Sequence, residues 1–135
     1  MSETTDLLYE IVGEAMSIQR ERGPAHVESV YHDLLAARLR VKGHQVNYKP
    51  SLWLQDDLGN YIKKYQPDLR VSTAGTSVLV ELKASQSHLS DANQRQARAY
   101  LSVSTQDEAV LLLNLGLIPF EHKRIYQRRS EDRPK

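Results

Sequence analysis

Asp68 and Glu81 stand with twelve residues between them, and Lys83 follows two positions later, near the ends of two apolar runs. The second run, Ser77-Val78-Leu79-Val80-Glu81-Leu82-Lys83-Ala84, reads as a buried strand that acquires charges near its end. Carrying carboxylates and an ammonium into such a strand costs free energy unless something compensates them. A divalent cation shared by Asp68 and Glu81, with Lys83 beside it, is such a compensation. Its chemistry would be phosphodiester hydrolysis. Hard oxygen donors in a chain without cysteine favour Mg2+ or Mn2+ over zinc. Such an ion binds a phosphate oxygen, activates a water and steadies the leaving oxygen. Lys83 could then orient the water or neutralise charge growing on phosphorus. The pattern is short, however. Taken alone it reads more simply as an aspartate opening a strand, with a Glu81–Lys83 ion pair on a half-exposed edge.

Strand geometry brings the three side chains together. If a hairpin turns at Ala74-Gly75 with Thr73 opposite Thr76, the same register sets Asp68 opposite Glu81. Cross-strand neighbours have Cβ atoms roughly 4.5–5.5 Å apart. Side chains alternate along a strand, so Glu81 and Lys83 share one face while Val78, Val80 and Leu82 take the other. A slip of one residue would destroy the arrangement. Two carboxylates this close repel, and one would bind its proton more tightly unless a cation intervened.

The elements that must hold this hairpin are legible from periodicity. Residues 6–20 carry Leu7, Leu8, Ile11, Val12, Ala15 and Met16 at helical spacing, with Thr5 or Asp6 as N-cap. Gly23-Pro24 breaks that helix, and the proline is suited to start a second, running to about residue 42. Its inward positions are Val27, Val30, Tyr31, Leu34, Leu35 and Val41. Strands are expected over 44–55, 61–71 and 76–84, with Pro50 marking an edge or bulge in the first. A helix over 86–104 follows, with Ser90 as N-cap, then strands over 109–115 and 120–126. The order α-α-β-β-β-α-β-β implies an α/β protein with a mixed sheet flanked by helices. Residues 1–126 read as one domain, and the polar stretch 127–135 as a frayed tail.

Composition excludes several classes. Hydrophobic residues at 40% and charged residues at 26% are ordinary for a globular chain, and no apolar run reaches the length of a membrane span. No signal-peptide pattern opens the sequence, so the expectation is a cytoplasmic protein without a membrane partner. The 18 basic and 17 acidic residues nearly cancel, leaving no global basic footprint for nucleic acid. Local features remain. Lys63 and Lys64 interleave with Tyr61 and Tyr65, a mixture of ammonium groups and rings that can grip a nucleic-acid strand but also occurs on ordinary hairpins. Tyr48 and Trp53 read as core, and all five histidines as surface or boundary residues.

Pro67-Asp68 and Glu81-Leu82-Lys83 resemble the signature of the PD-(D/E)XK nuclease superfamily. More closely, the chain to about residue 126 resembles the GxxExxY family within it. Gly23-Pro24-Ala25-His26-Val27-Glu28-Ser29-Val30-Tyr31 is similar to the name-giving segment, and Gln96-Ala97-Arg98-Ala99-Tyr100-Leu101 to a Q-x-x-x-Y helix. Leu111-Leu112-Leu113-Asn114-Leu115-Gly116 is similar to the strand and turn that follow. One departure is visible: the motif's glycine falls on Ala25, and an alanine would poorly serve a position that needs positive φ. The resemblance implies an αβββαβ core of the restriction-endonuclease type and a Mg2+- or Mn2+-dependent nuclease acting on DNA or, second, RNA. It implies Asp68 and Glu81 as metal ligands, joined by the Leu82 carbonyl and Glu28. Lys83 would be the catalytic lysine and Gln96 an accessory catalytic group. Tyr31, Tyr100, Lys63 and Lys64 would contact substrate. A homodimer is an expectation by analogy, since cutting two strands asks for two sites. The rival reading keeps the fold as a catalytically inactive module that binds nucleic acid or a protein partner.

Overall fold

A computed structural model describes residues 2–128. Among them, helices α1 (Glu3–Arg22) and α2 (Glu28–Val41) precede strands β1 (Gln45–Tyr48), β2 (Leu52–Gln55), β3 (Tyr61–Tyr65), β4 (Leu69–Thr73) and β5 (Thr76–Lys83). Helix α3 (Asp91–Val103) and strands β6 (Ala109–Asn114) and β7 (Glu121–Tyr126) complete the order. The main sheet runs β1-β4-β5-β6-β7, and β2 with β3 forms a separate two-stranded ribbon. Strands β5 and β6 are parallel, joined through α3, whereas the other pairs in the main sheet are antiparallel. The expected α/β class, a mixed sheet between helices, is what the chain forms. Beyond Arg128, the tail anticipated over 127–135 lies outside the described residues.

Two apolar layers fix the sheet. Leu8, Ile11 and Ile18 of α1 pack with Tyr31, Leu35 and Leu39 of α2 against Val78, Val80 and Leu82 of β5. On the other side Ala97, Tyr100 and Leu101 of α3 meet Leu79, Leu112 and Leu52. Alternation along β5 therefore sends even-numbered residues to α1 and α2 and Leu79 to α3. No helix among the described residues is long and apolar enough to cross a membrane.

Several boundaries depart from expectation for local reasons. The first helix starts earlier, because the Ser2 side chain accepts from the Thr5 amide and caps it. The second starts later, at Glu28 rather than at Pro24, and Val27 precedes it without a side-chain cap. Val27, Val30 and Val41, expected inward, are exposed, while Ala36 and Leu39 take buried positions. The expected strand 44–55 is two strands, broken where Lys49 takes a left-handed φ of 44° before Pro50. The expected strand 61–71 is also two, broken at Gln66-Pro67-Asp68. Tyr48 pairs with Leu69 across these two breaks, so the β2–β3 ribbon is an arm that leaves the sheet at Lys49 and returns at Asp68. Ala25 does not take a positive φ; Gly23 does, at 80°, which is how the segment tolerates alanine.

Candidate active site

The β4–β5 register is Thr73 opposite Thr76 through Leu69 opposite Val80. One step further sets Asp68 against Glu81, at the point where the arm rejoins the sheet. The two residues are locked by reciprocal bonds. The Asp68 amide donates to Glu81 Oε1 at 2.9 Å, and the Leu82 amide donates to Asp68 Oδ2 at 2.7 Å. Asp68 thus continues the ladder with its side chain after the strand has ended.

Glu81 is only 4% exposed, in a strand buried on both faces. It is not on the half-exposed edge that the simpler reading requires. Its Oε1 also accepts from the Tyr100 hydroxyl at 3.1 Å, and Lys83 Nζ lies 3.6 Å from Oε2. Burial, followed by the Asp68 charge, pushes the Glu81 carboxyl up to about 7, against the opposing pull of Lys83, the Asp68 amide and Tyr100. Burial and the neighbouring Glu81 charge also raise the Tyr100 hydroxyl well above its usual range, so it remains a donor.

His32 enters from α2; it has the intermediate exposure expected of a boundary histidine, but it stands beside Asp68. Its Nε2 lies 3.3 Å from Asp68 Oδ2, with 12% of the side chain exposed. That nitrogen is buried and has no aligned hydrogen-bond partner. The interaction with Asp68 raises the imidazole above its usual value; burial opposes this, and Glu28 and Glu81 add to it. The sequence signal was helical spacing: His32 stands one turn after Glu28, on the same face.

An open cleft of about 830 Å3 passes over Asp68, lined by residues 24–29, His32, Lys49, Ala84, Gln86 and Gly116. Glu28 is exposed in this lining, at the first turn of α2. Lys49 projects from the corner where the arm begins, and its amide donates to the Asp68 carbonyl at 2.8 Å. Asn114 braces the opposite loop: its Oδ1 accepts from the Ser85 and Gly116 amides, and its Nδ2 donates to the Ser87 carbonyl.

Other expected site residues take different positions or different contacts. Tyr31 is fully buried, and its hydroxyl donates to the Gly23 carbonyl at 2.6 Å, so it fastens the cleft loop and offers no surface to a substrate. Tyr100 is buried too and acts on Glu81. Gln96 is exposed on α3, one turn before Tyr100. Lys63 and Lys64 sit on the arm, with their ammonium groups over the Tyr65 and Trp53 rings respectively. Tyr48 and Trp53 are not core: they are 43% and 46% exposed.

Among the described residues, no group of three or more His, Asp or Glu side chains is gathered as a formed metal site. The chemistry of the donor set nevertheless fits a divalent ion. It contains a carboxylate pair whose buried member resists ionisation through burial and the Asp68 charge, both of which a cation would offset, and a buried imidazole nitrogen without a hydrogen bond.

No curated protein matches the chain. A solved structure, that of SSO0001, shares the fold with a TM-score of 0.53 and 18% identity, over 97% of this chain and 71% of that one. The model of a family described as the PD-(D/E)XK nuclease superfamily matches residues 5–127, carrying the hairpin, the cleft and all three helices. The chain belongs to the PD-(D/E)XK nuclease superfamily.

Proposed function

We propose that this protein is a metal-dependent nuclease that hydrolyses phosphodiester bonds in DNA, with RNA as the second substrate. The observation that carries the reading is the meeting of Asp68 and Glu81 at a strand end, with Lys83 Nζ 3.6 Å from Glu81. Asp68 and Glu81 would hold Mg2+ or Mn2+, with His32 beside them, and with the Leu82 carbonyl and Glu28 as further oxygen donors. The ion, when bound, supplies Lewis acidity toward the phosphate and makes a water acidic. Lys83 would orient that water and offset negative charge building on phosphorus. Tyr100 and the Asp68 amide hold Glu81 in one orientation, so its oxygens are positioned before substrate arrives. Gln96, one turn from Tyr100, would contact substrate phosphate or the attacking water. Within the superfamily we place the chain with the GxxExxY proteins, on Glu28, Tyr31, Gln96 and Tyr100.

A second reading, an inactive nuclease-fold module that binds nucleic acid or a protein, draws on the near-neutral net charge of +1. Labelled DNA and RNA incubated with Mg2+, Mn2+ or EDTA separate the two. Cleavage confined to the metal-containing reactions is the expected result; binding without cleavage of any substrate would establish the second reading.

A further inference from the structure

The β2–β3 arm has no role in the chemistry above, yet it carries exposed rings. Trp53 and Tyr61 are 46% and 66% exposed, with ring centroids 4.9 Å apart. Large exposed apolar groups gathered on one element mark an interaction surface. The Lys64 ammonium lies 5.6 Å over the Trp53 ring, and Lys63 is 4.9 Å over Tyr65. The acids of the arm are at its tip. Asp56 is spent there on the Leu58 and Asn60 amides and the Asn60 side chain, and Asp57 follows it. The stem is therefore cationic and aromatic, and anions are repelled from the tip toward it.

The stem is also tied to the site. Leu52 is buried against the α3 layer, and Tyr65 packs edge-on against Tyr100 at 6.0 Å. Tyr100 in turn donates to Glu81. The arm leaves the sheet at Lys49 and returns at Asp68, two residues joined by a backbone hydrogen bond. Both of these residues line the cleft, so the arm springs from its rim.

We propose that Trp53 and Tyr61 form a stacking platform for unpaired bases, with Lys64, the cross-strand partner of Trp53, holding an adjoining phosphate. The preferred substrate is then a single strand, or a duplex with an unpaired end. In a duplex each base face is already covered by its neighbours, whereas an unpaired base has a face free for a ring. The choice of nucleic acid as occupant rests on the nuclease reading; the preference for unpaired strands comes from the rings.

Trp53 is the single tryptophan of the chain, so its fluorescence reports the platform directly. The full chain in EDTA is titrated with oligo(dT) and with a duplex of equal length. Quenching by the single strand, at concentrations that leave the duplex without effect, is the expected result. Tyr61→Ala should weaken that binding roughly 5- to 150-fold, the range for loss of one base–ring stack, while leaving Trp53 as reporter. Lys64→Glu should also weaken it and reduce its salt dependence. No quenching, equal quenching by the duplex, or unchanged affinity of Tyr61→Ala would overturn the proposal. So would a dimer of the free chain that Tyr61→Ala dissociates, since a second copy would then cover the rings. Because EDTA removes cleavage from the measurement, a chain that quenches but never cuts refutes the nuclease reading alone. A chain that cuts without quenching refutes the platform alone.

Discussion

Asp68 and Glu81 are fixed by each other's backbone: the Asp68 amide donates to Glu81 at 2.9 Å, and the amide after Glu81 donates to Asp68 at 2.7 Å. The carboxylates are thus placed by strand register rather than by free rotamers, which makes the pair ready for an ion. It also forces a carboxylate into a site that burial makes hostile to its charge.

That hostility has a measurable sign. Glu81 binds its proton more tightly in the folded chain, at about 7, than in the unfolded one. Its contribution to stability is therefore fully present below the unfolded value and is lost as pH rises toward 7. His32, whose proton Asp68 also holds, adds a loss in the same direction at higher pH. In EDTA, urea unfolding of the wild type should show stability falling between pH 5 and pH 8. Glu81→Gln keeps an oxygen for the Asp68 amide and Tyr100 and carries no charge. It should be more stable than wild type at pH 8 by about 3 kcal/mol or less. An equal pH dependence in both proteins would contradict this.

Arg70 and Asp107 predict the opposite dependence. Asp107 has no exposed side-chain area, and it accepts from Arg70 at 3.0 and 2.7 Å and from the Ser77 and Ser104 hydroxyls. Burial opposes its ionisation, but these donors outweigh it and hold the carboxyl below its usual range. Its contribution is present above the unfolded value and is lost as pH falls through the lowered folded one. Asp107→Ala should cost about 3 kcal/mol or less at neutral pH, because the half-buried Arg70 is left without its partner. Denaturant melts at pH 7 and pH 3 should show the difference from wild type shrinking in acid.

How much of this was legible in sequence follows from the range of each interaction. Turn chemistry at Ala74-Gly75 and strand alternation are local, so the register that faces Asp68 with Glu81 could be read directly. The β2–β3 arm could not. Its existence depends on Lys49 turning left-handed and on Tyr48 pairing with Leu69, contacts that skip the intervening residues. That is why Trp53 reads as core although it faces water. His32 was hidden for the same reason: its approach to Asp68 depends on how α2 packs on the sheet. Tyr31 matches a motif, but only the fold shows its hydroxyl spent on Gly23.

The loop after β5 should depend on Gly116. A Cβ there would lie 2.5 Å from the Ala84 carbonyl carbon and the Ser85 nitrogen, both rigid backbone. Gly116→Ala should cost about 1–3 kcal/mol, as other overpacking does, and should loosen the loop that lines the cleft. Amide exchange at Ser85 and Ser87 should accelerate along with the lower melting temperature. A melt like that of wild type would show that the β6 turn can shift.

Metal-dependent cleavage should turn on Lys83. Its ammonium faces Glu81 with 28% of the side chain exposed, so alanine removes the charge without opening the core. Cleavage of labelled DNA in Mg2+ or Mn2+ by wild type and by Lys83→Ala, alongside their melting curves, is the measurement. A loss of at least about 10²- to 10³-fold in rate is expected, with a cooperative melt showing the fold intact. Cleavage that survives Lys83→Ala, or that proceeds equally in EDTA, would contradict it.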